Sequence, residues 1–324
     1  MPWAGSFLVL PACPLMHGTG QFSSFLAMII GGGVVTLPDP RFDPAALWRT
    51  AAQHSVNGIA IVGDAFARPM LAELDAHPGE YDLSHLRVIS SSGVMWSQEV
   101  KDGLLRHLPD VLLFDSLGSS EAVGMGASVA GHGLSAGTAR FGLGPGARVI
   151  GPDDRDIAPG SGEVGVIALP GFLPLGYYKD PEKTARTFRT IDGTRYTIPG
   201  DCATVDGEGA IHLLGRGSVV INTGGEKVYP EEVEEVIKRL PAVADAVCVG
   251  VPDERFGERV CALVQVVAGA TLDPDAVSQA VRTELAGYKV PRTVRVVPTI
   301  GRSPAGKVDY PALRRLAAGE GGGP

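Results

Sequence analysis

The sequence predicts an α/β fold in which a partial doubly wound sheet and a β-rich subdomain precede a small α+β domain. Three observations support this prediction. Short apolar runs alternate with helix signals between Phe7 and Asp115, glycine-punctuated short strands follow as far as Gly215, and mixed helix and strand signals fill the remainder. A length of 324 residues suits about two domains.

The first region contains five candidate strands and two helices. The strands are FLVL, GVVTL, GIAIV, LRVIS and VLLFD. The helix DPAALWRTAAQHS has Asp43 as its N-cap and Pro44 at its first position, and SQEVKDGLLRHL has Ser97 as its N-cap. We expect SFLVL and FSSFLAMII to be buried, because no Asp, Glu, Lys or Arg occurs from Met1 to Pro38.

The residue pattern changes twice after this region. Glycine recurs every few residues from about Gly118 to Gly215, around Val, Ile and Tyr runs that suit short strands with tight turns. Beyond it, YPEEVEEVIKRL and DPDAVSQAVRTEL are predicted helices, and AVCVGVP, RVCALVQVV and TVRVV are predicted strands. We therefore predict an α/β part over residues 1–135, a β-rich subdomain over 136–217, a C-terminal domain over 218–318 and a tail over 319–324.

Composition excludes several classes of protein. The 28 basic and 36 acidic residues give a net charge of -8, which argues against nucleic-acid binding. No membrane span is expected, because Pro11, Pro14 and the glycines at 31–33 interrupt the apolar opening stretch. A reducing, cytoplasmic setting is expected, since the four cysteines form neither a metal motif nor a disulfide pattern; they are Cys13, Cys202, Cys248 and Cys261.

Three generic motifs match only in part. GRSPAGK has the spacing of a phosphate loop, but Val308 replaces the hydroxyl residue that binds magnesium, and Pro304 removes a backbone donor. GSSEA follows a predicted strand as a hydrolase nucleophile elbow would, but it lacks the second glycine. The glycine groups GGGVV and GLGPG lack the strand, turn and helix order of a dinucleotide fingerprint.

Six further segments follow one another between residues 14 and 310. They are PLMHGTG, DSLGSSE, GEVGVIALPGFLPLGYYKDPEKTARTF, PGD, GRGSVVINTGGEKVYPEEVE and RSPAGKVDY. Together they resemble the adenylate-forming (AMP-binding) acyl-CoA synthetase superfamily, and residue by residue they are similar to its actinobacterial fatty-acid and steroid-side-chain CoA ligases. The resemblance implies an acid–thiol ligase whose small carboxyl-terminal domain is mobile.

The activity that the resemblance implies has two steps. A fatty or steroid-derived carboxylic acid is joined to the α-phosphate of ATP with release of pyrophosphate, and the thiol of coenzyme A then displaces AMP. The first step brings two anions together and therefore needs cationic groups directed at the shifting charge. The implied small-molecule partners are the acid, ATP with Mg²⁺, and coenzyme A.

The resemblance assigns catalytic roles to four residues. Lys307 corresponds to the lysine that bridges the carboxylate and the α-phosphate. Glu121 corresponds to the family's magnesium ligand, and Ser120 occupies the position of a threonine that holds the nucleotide phosphate. His17 corresponds to a histidine between the nucleotide and the acyl pocket. Without the motifs, a satisfied core histidine and solvated surface side chains would be the ordinary alternatives.

Other positions correspond to the family's cofactor-binding residues. Asp201 would accept hydrogen bonds from both ribose hydroxyls, and Arg216 would contact the ribose and phosphate. Gly224 and Gly225 correspond to the lane that admits pantetheine, although they could equally be a hairpin turn. The implied neighbours of the adenine, at the carboxyl edge of the sheet, are Ser91, Ser92, Gly93 and Asp115.

The sequence departs from the family in three places. Leu117 stands where many members have an aromatic residue, and Ser218 stands at the hinge, where Asp or Lys is frequent. The loop T-S-G-T-T-G-x-P-K, which wraps the β- and γ-phosphates, does not occur in the sequence. We therefore expect a fragment that corresponds to the latter part of a synthetase and depends on a missing amino-terminal portion.

Three readings remain open from the sequence. The first is an acyl-CoA ligase whose upstream part is truncated or supplied by another chain. The second is a non-catalytic remnant that binds nucleotide or acyl groups. The third is a serine hydrolase that would use Ser120.

Overall fold

The computed structural model describes residues 7–39, 41–134, 137–304 and 306–319. These residues form a sheet of 13 strands and a sheet of five, with eight α-helices. The chain divides into two compact units. Unit 1 comprises Met1–Pro199, Ala203–Leu213 and Pro304–Lys307, and unit 2 comprises Gly200–Cys202, Leu214–Ser303 and Val308–Pro324.

The amino-terminal region forms parallel strands with helices between them, which confirms the predicted α/β class. The strands are paired in the order β2-β1-β3-β4-β5. In chain order the elements are β1 (Leu8–Pro11), α1 (Gly18–Ile29), β2 (Gly33–Val34), α2 (Pro44–Gln53), β3 (Gly58–Ile61), α3 (Asp64–Ala76), β4 (Val88–Ser92), α4 (Gln98–His107) and β5 (Leu112–Ser119). Crossover helices between parallel strands bring the carboxyl ends of these strands to one edge.

The two predicted helix starts differ in their local chemistry. The Asp43 carboxylate accepts hydrogen bonds from the backbone N–H groups of Ala45 and Ala46, and Pro44 occupies the first turn, as predicted. Ser97 also precedes its helix as predicted, but its hydroxyl is buried and has no hydrogen-bond partner among the described residues. The start of α4 therefore does not rest on a side-chain cap.

Helix α1 contains most of FSSFLAMII, and the expectation that this stretch is buried is wrong for its large side chains. Its buried face consists of Gly20, Ser24 and Ala27, whereas Leu26 is 60% exposed and Ile29 80%. Small side chains on the buried face let the helix approach the strands closely, so the bulky apolar side chains point outward. Absence of charge alone could not distinguish the two faces.

The β-rich segment extends the same sheet instead of forming a separate barrel. Its strands follow β5 in the order β6-β7-β13-β12-β9-β11-β10, with β8 paired to β9. In chain order they are β6 (Ala122–Ala130), β7 (Arg140–Leu143), β8 (Arg148–Ile150), β9 (Gly165–Pro170), β10 (Phe188–Ile191), β11 (Thr194–Thr197), β12 (Asp201–Val205) and β13 (Ile211–Arg216), and helix α5 (Pro181–Thr187) precedes β10.

Unit 2 has its own sheet and core. Its strands pair in the order β15-β14-β17-β16, and β18 pairs in parallel with β17. The elements are β14 (Ile221–Thr223), β15 (Glu226–Val228), α6 (Pro230–Lys238), β16 (Val243–Asp253), β17 (Gly257–Val266), α7 (Pro274–Glu284), β18 (Thr293–Val297) and α8 (Tyr310–Ala318). The predicted helices and strands of this region are confirmed. The division at residues 135 and 217 stays a prediction.

The sequence predicts neither a disulfide pattern nor a membrane span, and both expectations can be compared with the described residues. All four cysteines are buried there as thiols. Within the same ranges, no helix combines the length and the apolar character that crossing a membrane would require.

Candidate active site

His17 lies at the carboxyl edge of the parallel strands, as the N-cap of α1. Its Nδ1 atom accepts a hydrogen bond of 3.2 Å from the backbone N–H of Thr19. The Thr19 hydroxyl donates to the carbonyl oxygen of Ser92 over 3.3 Å. Gly93 follows with φ at 93°, and a Cβ there would lie 3.0 Å from Cε1 of His17. The turn after β4 therefore passes directly over the imidazole and requires glycine.

Lys307 belongs to unit 1 and acts electrostatically on His17. Burial lowers the pKa of His17 from 6.5, and the positive charge of Lys307 lowers it further. The imidazole is therefore neutral near pH 7, and because Nδ1 accepts a hydrogen bond, its proton is on Nε2. Gly306 is buried beside Lys307, and a Cβ there would lie 3.4 Å from Cγ1 of Val62. Sequence-distant Lys307 and His17 are thus brought together.

Ser91 and Ser92 differ in what their side chains do. Ser91 is 1% exposed, and its hydroxyl accepts a 2.9 Å hydrogen bond from the backbone N–H of Gly63, which precedes α3. Its side chain therefore fixes the protein backbone. Ser92 is half-buried and Gly93 is exposed. Ser92 and Gly93 are the better candidates for contact with a ligand at this turn.

Asp115 is buried inside unit 1, where it forms an ion pair. Its carboxylate lies 3.1 Å from Nζ of Lys101, which is 1% exposed and stands over the ring of Trp96. Burial raises the pKa of Asp115 to about 6, although the charge of Lys101 opposes that shift. The predicted direct contact between Asp115 and a cofactor has no support in this geometry. Its carboxylate instead joins β5 to α4.

Ser120 and Glu121 form the two-residue turn between the antiparallel strands β5 and β6. A nucleophile elbow connects a strand to a helix, so the hydrolase reading of Ser120 is not supported. Glu121 is half-buried and accepts a hydrogen bond from the Tyr177 hydroxyl. The ammonium of Lys183 lies 3.8 Å from the centre of the Tyr177 ring. These contacts orient the Glu121 carboxylate.

The described residues contain no group of three or more His, Cys, Asp or Glu side chains arranged to hold a metal ion. This does not exclude Glu121 as a magnesium ligand. Mg²⁺ in nucleotide-dependent enzymes commonly uses one or two carboxylates together with substrate phosphates and water. A single oriented carboxylate such as Glu121 fits that pattern.

Asp201 and Arg216 form an ion pair within unit 2. Nε of Arg216 lies 3.3 Å from Oδ1 of Asp201, and the two side chains are 54% and 12% exposed. Gly200, with φ at 97°, turns the chain immediately before Asp201. The pair therefore presents an accessible guanidinium beside a mostly buried carboxylate, as binding of a polar, anionic ligand would require.

Glu231 is a neighbour of this pair that the sequence analysis missed. Its Oε2 atom is buried and has no hydrogen-bond partner among the described residues. Burial raises its pKa to about 8, and the charges of Glu234 and Asp201 contribute in the same direction. A Cβ at Gly215, where φ is 107°, would overlap the carboxyl group. Helix α6 begins with four glutamates within six residues, which look alike in sequence, so no pattern identified this one.

Gly224 and Gly225 form the turn between β14 and β15, with φ at 61° and 89°. These glycines therefore form a hairpin turn, since two consecutive positive φ angles match a type I′ turn, and their role in admitting pantetheine stays a prediction. Phe256 lies directly beside this turn: its carbonyl accepts a 2.8 Å hydrogen bond from the Gly224 N–H. The guanidinium carbons of Arg292 and Arg255 lie 4.0 and 5.1 Å from the Phe256 ring centre.

Comparison with known families decides the assignment. The model of the AMP-binding enzyme family matches residues 5–178, and that of the AMP-binding enzyme C-terminal domain matches residues 232–307. The chain belongs to the AMP-binding enzyme family. This confirms the resemblance on which the site predictions were based.

Curated relatives of this family member are named as CoA ligases. A medium/long-chain-fatty-acid–CoA/3-oxocholest-4-en-26-oate–CoA ligase of Mycolicibacterium smegmatis is 46% identical over 304 residues, covering 93% of this chain and 55% of the relative. A 3-oxocholest-4-en-26-oate–CoA ligase of Rhodococcus rhodochrous is 47% identical over 310 residues, with the same coverage. The chain thus spans about half the length of the curated relatives it matches.

Solved structures agree with the fold. The amide bond synthetase McbA from Marinactinospora thermotolerans has a TM-score of 0.82 at 28% identity, covering 96% of this chain and 62% of that one. ATP-bound MatB from Rhodopseudomonas palustris has a TM-score of 0.81 at 27% identity, covering 98% and 61%. Adenylate-forming enzymes therefore share the architecture described above.

Proposed function

We propose that this chain carries the chemistry of an ATP-dependent acyl-CoA synthetase that acts on a fatty or steroid-derived acid. A carboxylate oxygen attacks the α-phosphorus of ATP, the bond to pyrophosphate breaks, and an acyl-AMP forms. The sulfur of coenzyme A then attacks the acyl carbon, its thiol proton is lost, and AMP leaves. The names of the relatives with 46% and 47% identity support both the reaction and the substrate class.

The proposal depends most on the proximity of Lys307 to His17. Joining a carboxylate to a phosphate is opposed by the repulsion between two anions, which a nearby cation offsets. Lys307 supplies a primary ammonium at the edge where His17 and Gly93 also lie. Neutral His17 can donate from Nε2 without adding a second charge that would repel Lys307. An ammonium and a neutral donor at the carboxyl edge of parallel strands suit a bound acyl phosphate.

The remaining predicted residues support nucleotide binding. Glu121, oriented by Tyr177, would hold a magnesium ion, and exposed Ser120 would hydrogen-bond a phosphate. Asp201 would accept from ribose hydroxyls, and the half-exposed Arg216 would contact ribose and phosphate oxygens. When bound, the ion would neutralise part of the phosphate charge.

Coenzyme A as acceptor is supported by groups of unit 2. The Gly224–Gly225 turn has no side chains that would obstruct a narrow pantetheine chain. Phe256 beside the turn offers an aromatic face, and the exposed residues Arg255 and Arg292 offer guanidinium groups. An aromatic ring and arginines suit the adenine and phosphates of coenzyme A.

This sequence contains no residues that correspond to the phosphate loop of the family. We therefore propose that a segment equivalent to the part of the relatives not spanned by this chain supplies it. A second candidate function, binding of nucleotide or acyl groups without turnover, is favoured by the same absence of T-S-G-T-T-G-x-P-K.

The test is carboxylate-dependent exchange of labelled pyrophosphate into ATP. It is measured on the chain alone and after addition of the segment of the Mycolicibacterium smegmatis relative that this chain does not span. Exchange that requires a fatty or steroid acid and disappears in Lys307→Ala supports the ligase. ATP binding without exchange under both conditions supports the binding function, and hydrolysis that needs Ser120 but no ATP refutes both. Arg239→Gln, at a surface ion pair of unit 2, is the matched control.

A further inference from the structure

Helix α1 of unit 1 directs its bulky apolar side chains away from the sheet that it packs against. The helix lies on β1, β2 and β3, and its buried side chains are small; they are Gly20, Ser24 and Ala27. Its outward side chains recur at intervals of three and four residues and so form one stripe; they are Phe22, Phe25, Leu26 and Ile29. A surface helix normally has the opposite arrangement, with its apolar stripe toward the core. The side chains of α1 are therefore distributed as in a helix that lies between two layers.

The outward stripe is part of a larger apolar surface. Large apolar side chains are also exposed directly before the helix, at Leu15 and Met16, and at its end, at Met28 and Ile30. His17, the N-cap of α1, follows Met16, so this surface begins at the candidate active site. Contiguous exposed apolar surface of this kind marks an interaction site in soluble proteins.

The absence of charge restricts what can cover this surface. No Asp, Glu, Lys or Arg occurs between Met1 and Pro38. The hydroxyls of Ser23 and Ser24 donate to the carbonyls of Thr19 and Gly20, each over 2.7 Å, so they are already used within the helix. A neutral, apolar surface suits a permanent protein interface, which resembles a core cut in half.

A lipid bilayer fits α1 less well than a protein does. Helices that lie in a membrane interface carry Lys and Arg on their polar face, and α1 has neither. The helix has 12 residues, whereas a span needs about 20. The occupant that the chemistry favours is therefore a polypeptide with an apolar contact surface.

The relatives contain polypeptide that could form this second layer. The ligases of Mycolicibacterium smegmatis and Rhodococcus rhodochrous match 93% of this chain, but the chain spans only 55% of each of them. The solved structures of McbA and MatB are spanned over 62% and 61% of their length. A large part of each relative thus has no counterpart in this chain.

We propose that the outward face of α1 is the docking surface for a polypeptide equivalent to that part of the relatives, either joined to this chain or separate from it. The inference rests on the proposed function, which assigns the phosphate loop to the same polypeptide. Because α1 begins at His17, a polypeptide seated along the helix reaches the candidate active site. Phe25, Leu26 and Ile29 provide the contact, and no ion pair contributes to it.

The experiment measures binding of the segment of the Mycolicibacterium smegmatis relative that this chain does not span. The segment is co-expressed with the full chain, and the dissociation constant is then measured with ATP and acid absent. Leu26→Gln and Ile29→Gln keep a good helix former at each position but make it polar. We expect each to raise the Kd about tenfold, and both together about a hundredfold, because each removes the burial of an aliphatic side chain.

Two controls separate docking from general damage. Val296→Gln makes the same change at an apolar residue of unit 2 that is 50% exposed, and it should leave the Kd unchanged. Raising the salt concentration about tenfold should also leave the Kd unchanged, since the surface has no charge to screen. Equal binding by the double variant, strongly salt-dependent binding, or no binding by the unaltered chain overturns the inference.

Other occupants of α1 are further outcomes of the test. The chain alone is examined by sedimentation equilibrium and by flotation with vesicles of phosphatidylcholine and phosphatidylglycerol. Self-association that is lost in the double variant assigns the surface to a second copy, and vesicle binding that is lost assigns it to lipid. Either result overturns the inference. A chain that neither self-associates nor binds vesicles through α1 supports it.

The exchange assay distinguishes this inference from the proposed function. If the complex forms through α1 but exchanges no pyrophosphate with any fatty or steroid acid, the proposed function fails and the docking surface stands. If the mixture exchanges pyrophosphate equally well with the unaltered chain and the double variant at limiting segment concentration, the docking surface fails and the proposed function stands.

Discussion

Glu231 makes unit 2 less stable as the pH rises, and replacement by glutamine should remove this effect. The carboxyl group has its pKa raised from 4.5 to about 8, first by burial and then by the charge of Glu234, with Asp201 contributing. For an acid with a raised folded-state pKa, stability is complete below the unfolded value and is lost as the pH rises through the folded value. The affected window is therefore about pH 4.5 to 8.

The magnitude follows from the width of this window. Each pH unit within it removes about 1.4 kcal/mol of unfolding free energy, so the interval from pH 5.5 to 7.5 should remove about 3 kcal/mol. Glu231→Gln keeps the shape of the side chain and stays neutral, so its stability should lack this slope. The variant should match the wild type near pH 4.5 and exceed it at pH 7.5.

The assay must report on unit 2, because Trp3, Trp48 and Trp96 are the only tryptophans of the chain and precede that unit. Hydrogen exchange of peptides from α6 and β16, measured by mass spectrometry in a urea series at each pH, gives the unfolding free energy of the unit. Glu232→Gln is the control. Parallel curves for wild type and Glu231→Gln between pH 5 and 8 would refute the reasoning.

Two further perturbations test unit 1. Lys101→Met and Asp115→Asn should each lower the unfolding free energy by about 3–5 kcal/mol, because each leaves the other member of the buried ion pair without its partner. Lys101→Met combined with Asp115→Leu should recover much of that loss. Urea unfolding followed by the tryptophan fluorescence of unit 1 measures this, and additive single losses in the double variant would contradict it. Gly93→Ala should cost about 1–2 kcal/mol, because φ is positive. It should also displace His17, so pyrophosphate exchange should fall further than Ser92→Ala lowers it.

Local sequence chemistry was sufficient for most elements of the fold. Asp43 and Pro44 specify the start of α2, and Pro230 marks the start of α6, because caps and fixed φ angles act over only a few residues. Alternating and continuous apolar runs predicted β1, β3, β4, β16 and β17. The faces of α1 could not be predicted, since a stretch without charges has no polar side to orient it.

For the candidate site, the sequence indicated residues but not the contacts that their side chains make. Motifs pointed to Lys307, Glu121 and Asp201, and the roles of these three residues stay predictions. The pattern could not show that the Asp115 carboxylate is directed into the core, nor that Tyr177 donates to Glu121. Sequence spacing carries no information about contacts between residues 14 or 56 positions apart.

By itself, the sequence determined the class of fold, the family and the chemical types of residue available, because these depend on local pattern and on recognisable motifs. The tertiary structure alone decided which ionisable groups are desolvated and which meet. Lys307 lowers the pKa of a histidine 290 positions earlier, and the carboxyl group of Glu231 lies against Gly215. Burial and Coulomb interaction depend on distance in space, and chain folding sets that distance independently of separation in sequence.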